Sequence, residues 1–248
     1  MVYTKTTCFL MCLGLFGLLS SEATFARYST ILDAGYGSEP DLYEVLDVVA
    51  PIPGGWMSTT ALNTNVTGLR IDDDADQLWQ SGSFKATVIT TFWGGTAAPS
   101  DTAEQFFRYD DNVDGSSPVE LTDIDDPGET AGFTVSDGPF VIGSGGGIYG
   151  AWSNEALNSG PLSDRAVTFN VQGLDIYTWM AGDKSNPTTS LLLSSVHLPA
   201  YIVAFETGLD GDYQDMLVLV ESIRPIPAPR AVVLGSIGLL FVGWLRRK

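Results

Sequence analysis

Residues 84–93 read FKATVITTFW. β-branched and aromatic side chains fill nearly every position, and such side chains fit a pleated, half-buried surface better than a helical turn. The run has companions in AVTFNV at 166–171, YIVAF at 201–205 and MLVLV at 216–220, set off by Gly, Pro, Asn and Asp residues. Strand-length runs separated by turn residues, with no long stretch of helical period between the two ends, predict an all-β fold, an antiparallel β-sandwich or jelly roll. The 27 glycines and the 17% charged residues agree with that class.

Two short segments have a helical alternative. Asp101–Phe107 is predicted as a short helix, with Asp101 or Ser100 as its cap. Pro40–Leu46 fits a helix or a strand about equally, because its apolar residues satisfy either period. One sandwich over 27–222 is the expected division of the body. A small N-terminal β unit ending near the acidic loop at 110–129 is the other.

The ends differ from the body. Residues 1–26 carry Lys5, an apolar run from Cys8 to Leu19 and a small-residue ending at Ala26, which is the layout of a secretory signal peptide. Both cysteines, Cys8 and Cys12, lie in that leader, so the exported chain is expected to hold no disulfide and no thiol-ligated metal. At the other end, residues 223–248 hold Pro227-Ala228-Pro229, an apolar stretch at 231–245 and the basic terminus Arg246-Arg247-Lys248. As a helix those fifteen apolar residues span about 22 Å against a hydrocarbon core of about 30 Å, short for a permanent span. The terminal cations then mark the cytoplasmic side.

Removing the leader and residues 230–248 leaves 7 Lys+Arg against 29 Asp+Glu, a net charge of about −22, where the whole chain has −18. Such a surface repels phosphate backbones, which excludes nucleic acid as a partner and favours divalent cations or neutral sugars.

Several motifs bear on chemistry. Asp110, Asn112 and Asp114, with Gly115, match the opening of a calcium loop in which alternate oxygen side chains converge. The twelfth position is Leu121, with Glu120 beside it, and no EF-hand is expected. Asp72, Asp73, Asp74 and Asp76 crowd four carboxylates into five residues, read here as a solvated loop. The run Gly143–Gly147 lacks the Lys-Ser or Lys-Thr of a phosphate loop and is expected to be a flexible turn. His197 is the only histidine, and no G-x-S-x-G turn is present, so neither a histidine metal site nor a serine triad is expected. Glu206, Asp210, Asp212 and Asp215 place several oxygen ligands on one strand end and its loop. They form either a calcium cradle or a turn whose aspartates bind backbone amides. Trp56, Trp79, Trp93, Trp152 and Trp179 would suit sugar stacking if exposed, with core packing as the default.

The tail resembles the C-terminal sorting signal of bacterial PEP-CTERM proteins, with Ala228 where the name-giving motif has Glu. That resemblance implies recognition by an exosortase-type enzyme, passage through the membrane on the C-terminal helix, and delivery to the cell surface or extracellular matrix of an exopolysaccharide producer. Residues 139–222 resemble an uncharacterised β-rich domain of bacterial surface proteins that ends in a phenylalanine-glutamate-aspartate strand and an aspartate-tyrosine-asparagine-aspartate turn. Phe205-Glu206 and Asp212-Tyr213-Gln214-Asp215 stand at those positions, with Thr207 and Gln214 as departures. The expected function is therefore that of an exported, non-enzymatic structural or adhesive protein, with Ca2+ as its one candidate ligand ion. The alternatives are a carbohydrate-binding module acting on exopolysaccharide and a two-carboxylate glycoside hydrolase.

Overall fold

A strand buried on both faces has no polar side to show, so it reads as a continuous apolar run. This is what YIVAF and MLVLV do in the computed structural model. It describes residues 27–34, 40–74, 77–93, 96–97, 106–121, 127–145, 150–159, 162, 164–181, 186–208 and 210–226. The leader at 1–26, residues 101–105, the stretch 231–245 and the sorting residues Pro227, Ala228, Pro229, Arg246, Arg247 and Lys248 lie outside the described residues. Among those described, no helix is long and apolar enough to cross a membrane.

Helices α1 (Leu42–Val49) and α2 (Thr59–Asn63) precede the strands. The strands are β1 (Gly82–Trp93), β2 (Thr96–Ala97), β3 (Phe106–Asp110), β4 (Val119–Glu120), β5 (Thr130–Val135), β6 (Val141–Gly145), β7 (Ala151–Trp152), β8 (Ala166–Asn170), β9 (Ile176–Ala181), β10 (Thr188–Leu193), β11 (Ala200–Phe205) and β12 (Met216–Glu221). The chain is thus mostly β, and every strand pairing is antiparallel. The central sheet runs β2-β1-β12-β11-β8, with β5 paired to the first half of β1. Two smaller sheets, β4-β3-β6-β7 and β10-β9, complete the set.

Alternation along the central strands divides the core in two. Tyr201, Val203 and Phe205 of β11 and Met216, Val218 and Val220 of β12 pack with Phe107, Phe140 and Ile142 of the β3–β6 side. Their neighbours Ile202, Ala204, Leu217 and Leu219 pack instead with Leu42, Val45, Leu46 and Val49 of α1, Trp56 and Trp179. Each fully buried aliphatic side chain contributes roughly 1.5–3 kcal/mol. A register irregularity between Val88 and Thr90 shifts the phase of β1 by one residue, so Val88 faces one core while Ile89 and Phe92 face the other.

Pairing of β1 with β12, and of α1 with the residues of β12, joins the N-terminal residues to the C-terminal strands. Residues on both sides of 110–129 therefore share one sheet and one core. Phe106 and Phe107, expected at the end of a helix, begin strand β3 instead. Phe107 has no exposed surface and lies against Phe133 and Phe205, so tertiary packing overrides the local capping signal. At 40–46 the helix prevails: Glu44 accepts the Asp41 N–H at 3.0 Å, as in a capping box, and α1 buries Leu42, Val45, Leu46 and Val49 on one face. Gly143 and Gly145 are strand residues rather than a flexible turn; the rings of Trp152 and Phe106 fill the space a Cβ would need. The body also runs past 222, since Ile223 joins the second core and Ile226 donates to the Leu78 carbonyl at 2.7 Å.

Candidate metal centre

Strands β11 and β12 are neighbours, paired up to Phe205 opposite Met216. The ten residues between them form a loop at one end of the central sheet, and it holds all four of the acidic residues expected there.

Asp215 builds the turn. Its Oδ2 accepts the backbone N–H of Thr207 at 2.6 Å, the Thr207 hydroxyl at 3.0 Å and the Gly208 N–H at 2.8 Å. The turn-forming role foreseen for aspartates in this loop thus falls to Asp215. The other three do something different. Ligand oxygens of Glu206, Asp210 and Asp212 all lie within 4.8 Å of one another, the group of this kind that the described residues contain. Glu206 has no exposed surface and Asp212 has 1%. Oε2 of Glu206 accepts the Tyr213 N–H at 3.3 Å, while its Oε1 has no hydrogen-bond partner.

Gly208 lies against two of the three. A Cβ there would sit 2.9 Å from Oε1 of Glu206, 3.2 Å from Oδ1 of Asp210 and 3.6 Å from Oδ2 of Asp215. Only a glycine leaves that space to the carboxylates. Gln214, 1% exposed, donates Nε2 to Oδ2 of Asp212 at 3.0 Å, and its amide oxygen Oε1 has no partner. Buried polar atoms are nearly always satisfied, so Oε1 of Glu206 is an acceptor left open beside the clustered carboxylates. Burial pushes the Glu206 carboxyl up to about 9, and the neighbouring charges of Asp215, Asp212 and Asp210 add to the shift. Asp215 is raised too, first by burial, with its turn hydrogen bonds acting in the opposite sense.

Around this cradle the fold supplies rigid anchors. Nη1 of the buried Arg165 donates to the carbonyls of Glu206 and Gly208 at 3.1 and 2.9 Å. The Tyr213 hydroxyl donates to the Asp164 carbonyl at 2.9 Å, with Tyr213 at a φ of 59°. Burial raises the Tyr213 phenol well above its usual range.

The ligand chemistry is that of a hard cation. Calcium takes six to eight oxygens at about 2.3–2.6 Å, so oxygens on opposite sides of the ion are about 5 Å apart. The three carboxylates, all within 4.8 Å of one another, are close enough for one such ion to reach each of them. A soft metal would call for Cys or His ligands, and His197 lies elsewhere, exposed, its carbonyl accepting from Gln172.

The other expected calcium loop is arranged differently. Asp110 is fully buried and turned onto its own loop, accepting the Asn112 N–H at 2.8 Å and the Ser117 N–H at 3.4 Å. Asp114 is exposed and accepts the Ser116 N–H at 2.9 Å; hydrogen bonding by Ser116 holds its carboxyl below the usual range. In this structure the loop's carboxylates serve turn amides. The solvated-loop reading of 72–76 is corrected at Asp73, which is 1% exposed and bridged at 3.2 Å to the buried Arg70. Trp56, Trp79, Trp152 and Trp179 are all buried, which removes four of the five body tryptophans as stacking platforms.

Sequence reasoning found the four acids and the amide carbonyl of Gln214, but missed Gly208 as the opening and Arg165 as the anchor. The Asp-x-Asp-x-x-Asp spacing of the loop was the usable signal; the role of Arg165, 41 residues before Glu206, had none. No protein-family model matches the chain, and no curated protein matches it.

Proposed function

We propose that this chain is an exported cell-surface or extracellular-matrix β-sandwich module of structural or adhesive role, not an enzyme, whose β11–β12 loop is locked by bound calcium. The observation that carries the reading is the Glu206 carboxylate: fully buried, one oxygen without a partner, clustered with Asp210 and Asp212, and facing with Asp210 a space that Gly208 leaves open. A buried carboxylate in that setting is costly unless a cation compensates it. Glu206, Asp210 and Asp212 would hold the ion, with Gln214 bound through its Nε2 to Asp212. Extracellular calcium modules work at about 10⁻⁴–10⁻³ M, so a site of ordinary strength would fill after export.

The route outward rests on the sequence ends: the leader at 1–26, and the Pro227-Ala228-Pro229, apolar and Arg246-Arg247-Lys248 tail that resembles an exosortase signal. The tail acts as an address that occupies the membrane before processing. The strongly acidic body suits a surface or matrix rich in neutral polysaccharide and divalent ions.

Thermal melting with millimolar calcium and with chelator tests the ion, since a ligand that binds only the folded state must raise its stability. An unchanged midpoint refutes the calcium reading. Mass spectrometry of both termini of the protein from its own cell tests the route; an intact chain from Met1 to Lys248 refutes processing.

A further inference from the structure

The first described residues, 27–34, form no strand or helix, yet they are bound at almost every step. Side chains rather than a strand partner hold them. The Arg27 N–H donates to Oδ1 of Asp72 at 3.2 Å, and the Arg27 carbonyl accepts the Asp73 N–H at 3.0 Å. Ser29 gives its N–H to Asp73 and its hydroxyl to Asp164, while its carbonyl accepts from Arg70 at 2.9 Å. Asn63 brackets Ile31, accepting its N–H and donating to its carbonyl, both at 2.8 Å. Asp41 takes the Ala34 N–H at 2.8 Å.

Two of the remaining contacts lead straight to the acidic loop. Leu32 donates its N–H to the Gly211 carbonyl at 2.9 Å. Gly211 stands between Asp210 and Asp212, two of the three clustered carboxylates, with a φ of 77°. A Cβ there would meet the Leu32 side chain at 3.5 Å. The second route is Tyr213. Its N–H binds Glu206, the third clustered carboxylate, and its hydroxyl binds the carbonyl of Asp164, the residue that accepts the Ser29 hydroxyl. Each route is a chain of direct hydrogen bonds from a clustered carboxylate or its neighbour to the strap.

We infer that the cation site is the lock of this N-terminal strap: calcium held by Glu206, Asp210 and Asp212 fixes Gly211 and Tyr213, and through them clamps residues 27–34 onto the end of the sheet. The inference rests on the calcium reading above and adds its consequence. Without the ion, repulsion between Asp210 and Asp212, which flank Gly211, acts on the same few residues that hold the strap, and the loop opens with it. With the ion, any opening that requires its release is suppressed by the factor 1 + [Ca]/Kd. The strap is thus loose where calcium is scarce and closed where it is plentiful.

Hydrogen–deuterium exchange on the full chain tests the strap, with calcium binding measured separately by titration calorimetry. At calcium ten times above Kd, amides of 27–34, Leu32 above all, exchange about tenfold more slowly than in chelator. The hairpin at 106–121 serves as the control and changes little. Y213F removes the hydroxyl that binds the Asp164 carbonyl; with its own calcium affinity measured by the same calorimetry and the calcium set at ten times that Kd, it loses calcium protection at Ser29 while retaining it at Leu32. Calcium binding with unchanged exchange across 27–34 overturns the strap and leaves the metal site standing. No calorimetric signal and no change in exchange removes both. If Y213F fails to fold, exchange of the wild type in calcium and in chelator is sufficient to support or overturn the lock.

Discussion

Replacing Glu206 with Gln separates the carboxylate's charge from its shape. The folded protein holds this carboxyl at about 9 against an ordinary 4.5, so without a cation the folded state binds a proton that the unfolded state has released. Stability therefore falls as pH rises from about 4.5 toward 9. At pH 7 the accumulated loss is about 3 kcal/mol, from the gap between 4.5 and 7 at about 1.4 kcal/mol per pH step. The glutamine neither ionises nor titrates, and its amide oxygen can still accept the Tyr213 N–H. In chelator at pH 7, E206Q should melt above wild type, by up to about 6–12 °C at roughly 2–4 °C per kcal/mol for a domain of this size. Calcium reverses the order. At a hundred times Kd the wild type gains about 2.7 kcal/mol, or about 5–11 °C, whereas E206Q, short of one charged ligand, gains little. Differential scanning calorimetry in chelator and in calcium reads both effects. A variant that melts below wild type in chelator, or that keeps the full calcium shift, refutes this account of the buried charge.

Other perturbations test neighbouring contacts. G208A puts a methyl 2.9 Å from Oε1 of Glu206 and 3.2 Å from Oδ1 of Asp210, and should weaken calcium binding at least tenfold by titration. D73A strands the buried Arg70 guanidinium and should cost about 3–5 kcal/mol in urea unfolding; a loss under about 1 kcal/mol would show that the pair is not truly buried. Burial, with the Asp73 charge next, raises the Asp164 carboxyl to about 7 from 3.8. Its contribution is therefore intact below about pH 4 and lost on the way up to pH 7, a fall of up to about 4 kcal/mol. D164N should flatten that part of the stability–pH curve in chelator, and an unaltered slope between pH 4 and 7 would contradict the assignment.

The sequence alone settled the all-β class. Four apolar, β-branched runs punctuated by Gly, Pro and Asp leave few other folds open, because alternation and turn chemistry are local properties. It also marked Glu206, Asp210, Asp212 and Asp215, since acidic residues spaced along one turn are visible without coordinates. It could not divide their labour. Asp215 ties down Thr207 and Gly208 while Glu206 keeps an orphaned oxygen, and that difference depends on how β11 and β12 pair and on what buries each side chain. Local signals also misled at Phe106 and Phe107, where a capping pattern lost to a core that needed Phe107 against Phe133 and Phe205. The same limit hid the strap. Arg27 to Ala34 shows no periodicity because its partners are Asp72, Asp73, Asp164, Asn63 and Gly211, residues far away along the chain. Local free energies are written in neighbouring residues; contacts that close long loops exist only once the chain has folded around them.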